Sequence, residues 1–80
     1  MNTAEWNATL PIYITKIIKS SGMKQVAVAE RAGLSPQKFS EMLHGKRIIK
    51  ASDIINISRA LNVTPNEIFG FTVDNGRRSA

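Results

Sequence analysis

The stretch QVAVAERAGLSPQKFSEMLH, Gln25 to His44, carries two short helical patterns on either side of a turn. Its first half, Gln25 to Ala32, is rich in alanine and stops at Gly33, which can adopt the positive φ that a tight turn requires. Its second half opens on Ser35-Pro36. A serine caps the unpaired amides of a first helical turn, and the fixed φ of proline suits the first helical position. Phe39, Met42 and Leu43 follow at helical spacing as a narrow apolar stripe, and Gly45 ends the segment. Two helices that cross steeply through a turn of about three or four residues need a small residue where they approach and an anchor under the second helix. Ala29 and Phe39 meet those needs, and Val28, Ala32, Leu34 and Met42 are apolar at the remaining inward positions. The other side of the 35–44 segment carries Gln37, Lys38, Ser40 and Glu41, all polar.

Outward from this unit, every other patterned segment also reads as helix. Ile14, Ile17 and Ile18 predict a first helix over 10–20, stopped by Gly22, with Pro11 confined to its first turn. Ala51, Ile54, Ile55, Ser58 and Leu61 share one face of a fourth helix that ends at Asn62. Thr64-Pro65-Asn66-Glu67 combines a cap, a first-position proline and a glutamate at the third helical position, so a capping box opens a short fifth helix through Phe69. After Gly70, Phe71 and Val73 alternate briefly before a polar end. The expected architecture is all-α with five helices: one domain over 10–70, between an extension at 1–9 and a tail at 71–80.

Eighty residues suffice for a single small core. With no cysteine, disulfides and thiolate metal sites are excluded and packing alone must hold the fold. No apolar run approaches the ~20 residues that cross a bilayer. Glu5 is the only charge near the start, without the basic region of a signal peptide, so a cytoplasmic location and no membrane partner are expected. A net charge of +5 and a pI near 10.1 suit a polyanionic partner and equally a solubility role. Distribution says more than the total. Between Pro36 and Lys50, Lys38, Lys46, Arg47 and Lys50 oppose the single acid Glu41, with His44 beside them; the plainer alternative is a solvated face. His44 is the one histidine and has no partners for a metal site or a nucleophilic triad, so a surface or capping role at the helix end is its default and a phosphate contact the functional alternative. No enzyme activity and no cofactor are expected. Trp6 and Tyr13 read as packing residues rather than base-stacking platforms.

The spacing of Ala29, Gly33 and Phe39, followed by Gly45-Lys46 and then by Ala60-Leu61-Asn62-Val63, resembles the Cro and phage-repressor superfamily, also called Xre-like, over residues 10–70. The resemblance implies a lambda-repressor-like domain with its helix-turn-helix at 25–44, whose 35–44 helix enters the major groove of a double-stranded DNA operator. It implies base contacts from Gln37, Lys38, Ser40 and Glu41. Gln37 is favoured because its amide matches adenine bidentately, Lys38 reaches guanine or phosphate, and Glu41 accepts from cytosine or pairs with a neighbouring lysine. Phosphate contacts are implied for Lys24, Gln25 and Ser35 around the second and third helix starts, and for Lys46, Arg47 and Lys50 in the following loop. Two positions depart from the family pattern: Pro36 stands where glutamine is common, and His44 where glutamate is common before the Gly-Lys pair. The proline removes a side-chain donor, so base reading must move elsewhere. The competing expectation is an interaction module of the same fold, a repressor modulator or antitoxin, whose partner is a repressor or toxin protein. A homodimer is a further expected assembly, since one recognition helix covers few base pairs.

Overall fold

Pro11 lies well inside the first helix. The computed structural model describes the backbone of residues 3–70 and the side chains of residues 7–70, and α1 runs unbroken from Thr3 to Ser21. A proline in a helix interior removes one backbone bond and crowds the carbonyl four residues earlier. That penalty placed the expected start at residue 10; in the structure the ring is buried and the helix continues through it. Leu10, Ile14 and Ile18 line the inner side of α1. The readings for the Trp6 side chain, for Phe71 and Val73, and for the tail at 71–80 lie outside the described residues.

The remaining elements are α2 (Gln25–Arg31), α3 (Pro36–Leu43), α4 (Ala51–Leu61) and α5 (Pro65–Ile68), so the described chain is all-helical with five helices. Within it no helix is long and apolar enough to cross a membrane. Seven residues in α2 and eight in α3 are too few to be helical alone, so tertiary packing must hold them. α1 packs on α3, α4 and α5, while α2 lies between α3 and α4. Phe39, Leu10, Ile14, Met42, Ile57, Ile68 and Val28 fill the middle, almost wholly excluded from water. Each contributes roughly 1.5–3 kcal/mol by burial.

The turn between α2 and α3 has the chemistry its sequence demands. Gly33 sits at φ +75°. Its amide donates to the Glu30 carbonyl at 3.1 Å and that of Leu34 to the Ala29 carbonyl at 2.9 Å, the paired bonds of a Schellman ending. Ala29 is fully buried, as closest approach requires. α4 ends in the same way, with Asn62 in the left-handed region at φ 58° and the Val63 amide donating to the Ser58 carbonyl at 2.9 Å.

The inner face of α4 differs from expectation. Ile54, Ser58 and Leu61 are buried, but Ala51 and Ile55 are exposed and Ile57 and Ala60 take their place. α4 is gripped by α2, α1 and α5 together, so its buried sector is set by three neighbours and is rotated from the simplest apolar stripe. Ser58, the one buried polar residue among those described, donates its hydroxyl to the Ile55 carbonyl at 2.8 Å. Its burial therefore leaves no unmet hydrogen bond.

Candidate nucleic-acid interface

Ser35 fixes the start of α3. Its Oγ accepts from the Lys38 amide at 3.1 Å, and Pro36 occupies the first helical position. Phe39 and Met42 face the core, so Gln37 and Lys38 are left in solvent and Ser40 and Glu41 at its edge. At the far end the Lys46 amide donates to the Glu41 carbonyl at 2.8 Å and that of Gly45 to the Met42 carbonyl at 3.2 Å. The His44 ring closes the same turn with Nδ1 at 2.7 Å from the Ser40 carbonyl oxygen. A carbonyl only accepts, so Nδ1 carries the hydrogen there. His44 thus caps a helix end.

The chain then enters the basic loop, where neighbouring isoleucines part ways. Ile49 is buried at 4% exposure, whereas Ile48 stands 62% exposed. Lys50 precedes α4, and its amide donates to Asp53 Oδ2 at 2.9 Å. A lysine ammonium has no acceptor, so this is only the reciprocal half of a capping box. Arg47 returns to α3, its Nη2 lying 2.9 Å from Glu41 Oε1 and its Nε donating to the same oxygen at 3.0 Å. Both side chains remain partly in solvent, so the pair orients Arg47 while contributing little, about 0–1 kcal/mol, to stability.

These restraints bring Lys38, Lys46, Arg47 and Lys50 around one cleft of about 490 Å³, with Met42, Ile48, Ser52 and Asp53 completing its wall. Four cations against the single carboxylate of Asp53 make it a positive pocket beside the polar face of α3. Glu41 neutralises Arg47 at its edge. Lys24 and Gln25 are exposed at the start of α2, outside this cleft. The lysine at the N-cap supplies no side-chain bond to the first turn of α2. Among the described residues no cluster of histidine and carboxylate side chains could hold a metal ion.

Two further residues hold the loop beside the cleft and were not singled out by sequence reasoning. Asp53 follows Lys50 at the third helical position of α4, a local signal that could have found it. Asn7 accepts from the Ile49 amide at 2.8 Å across 42 positions of sequence, a contact for which no local pattern exists.

No curated protein matches the chain. A family model described as the Cro/C1-type HTH DNA-binding domain matches residues 14–74, which includes the α2–turn–α3 unit, the basic loop and the two helices after it. With the exposed polar face of α3 and a cationic cleft beside it, the chain belongs to the Cro/C1-type HTH DNA-binding domain family.

Proposed function

We propose that this protein is a sequence-specific transcriptional regulator, a Cro-like repressor or short phage or plasmid regulator, that reads the major groove of an operator with α3. The observation that carries the proposal is the convergence of Lys38, Lys46, Arg47 and Lys50 on one cleft beside the exposed face of that helix. Gln37 reads a base edge, with Lys38 and Ser40 as its neighbours in the groove. Glu41 reaches a cytosine amino group only by giving up Arg47. Lys46, Arg47 and Lys50 grip phosphates, as do Lys24, Gln25 and Ser35 at the helix starts; such contacts set position and register without reading sequence. The protein acts in the cytoplasm of a bacterial host, on the nucleoid when bound, and as a pair of copies.

Each phosphate neutralised releases counterions, so the logarithm of affinity falls with the logarithm of salt by about 0.9 per contact. Replacing Lys46 and Arg47 together by alanine is expected to flatten that slope by about two units and to weaken all duplexes alike. Binding titrations over a range of KCl concentrations measure it, and an unchanged slope would refute the assignment. One feature favours the second reading, a module acting on a partner repressor: Pro36 places a donorless ring where α3 enters the groove. Gel shifts on the protein's own promoter region, with and without a candidate partner, separate the two.

A further inference from the structure

Three cations within residues 45–50 repel one another, yet the loop that carries them is anchored from several directions. The Ile49 side chain is rooted in the core and the Lys50 amide is held by Asp53. Between them the Ile49 amide donates to Asn7 Oδ1 at 2.8 Å in a partly buried bond. Asn7 belongs to the turn of α1 before Pro11, where Ala8 and Ile12 border a groove against Leu43, His44 and Gly45. The same stretch of α1 therefore meets the end of α3 and the loop behind it.

We infer that Asn7 is a positioning residue for DNA binding: by holding the Ile49 amide it sets the loop so that Lys46, Arg47 and Lys50 face the phosphates before a duplex arrives. The inference rests on the DNA-binding reading above. A partly buried amide needs an acceptor, and without Asn7 the loop must turn to satisfy it from water. Binding then has to order the loop again, which lowers affinity although no group that touches DNA has changed. A carboxamide suits the task. It accepts as a carboxylate would, without setting a negative charge beside the cations it positions.

The test uses a mixed-sequence 20-base-pair duplex titrated by fluorescence anisotropy, at a temperature where circular dichroism shows every variant folded. Asn7→Ala is expected to weaken binding by up to about tenfold, the equilibrium value of one hydrogen bond. In the Lys46→Ala/Arg47→Ala background the same change should cost almost nothing, because most of what Asn7 positions is gone. Amide exchange at Ile49 should quicken in Asn7→Ala and slow again in Asn7→Asp, which keeps an acceptor. Should Asn7→Ala fail to fold, Asn7→Leu removes the acceptor while keeping the same number and branching of heavy atoms. An equal loss in both backgrounds, or no loss in either, overturns the positioning role while DNA binding stands. If the wild-type chain binds no duplex at low salt, the DNA reading itself fails, and an Ile49 exchange rate indifferent to Asn7 then disposes of the loop restraint as well.

Discussion

Two glycines with nearly the same backbone conformation separate strain from crowding. Gly33 is at φ +75° with open space where a Cβ would stand, while at Gly70, φ +87°, that atom would lie 2.6 Å from the Tyr13 ring. Alanine in the left-handed region costs about 1–2 kcal/mol by itself. Gly33→Ala is expected to show that cost alone in urea denaturation, and Gly70→Ala measurably more. In a Tyr13→Ala background the Gly70→Ala penalty should shrink to the Gly33 value; equal penalties in the unmodified chain would show that the ring simply swings away. The sequence announces Gly33, because a glycine between two helical patterns has an evident task. Gly70 conceals its second constraint, since the ring it meets belongs to α1, at the other end of the described chain. The candidate site divides in the same way. Lys38, Lys46, Arg47 and Lys50 were legible as a local excess of charge, but Asn7 was not, because a hydrogen bond over 42 positions leaves no mark in composition or spacing.

At the scale of the elements, helix ends were the most legible features and helix faces the least. Caps are chemistry within a few residues. Thr64 Oγ1 accepts from the Glu67 amide at 3.3 Å and Glu67 Oε2 accepts from the Thr64 amide at 2.8 Å, the reciprocal bonds that Thr64-Pro65-Asn66-Glu67 predicts. The start of α1 and the rotation of α4 depend instead on which helices pack around them, which no single segment encodes. The two well-formed caps permit a comparison. Ser35→Ala and Thr64→Ala should each cost about 1 kcal/mol of stability. Only Ser35→Ala should also weaken DNA binding, because its loss loosens the first turn of α3 and with it Gln37 and Lys38. Thermal unfolding and duplex titration on the same two variants check this, and equal losses of affinity would mean that both act through global stability.

For the whole molecule the proposed function raises the question of how so small a domain would gain specificity. α3 has eight residues and is about 12 Å long, enough to follow three or four base pairs. A site that short recurs too often in any genome for one copy to regulate a gene. Copies related by a two-fold axis read half-sites whose centres lie about 34–36 Å apart along one face of the duplex. The described residues measure 40 × 29 × 19 Å, so two copies set side by side across a short axis fit within that spacing. Selection of bound sequences from a random DNA pool is therefore expected to return inverted half-sites of a few base pairs with centres about 10 base pairs apart. Inserting about five base pairs between the halves should reduce binding to the level of a single half-site, because the second copy is then turned to the opposite face of the helix. Recovery of one asymmetric motif, indifferent to such an insertion, would show that a single copy is the reading unit.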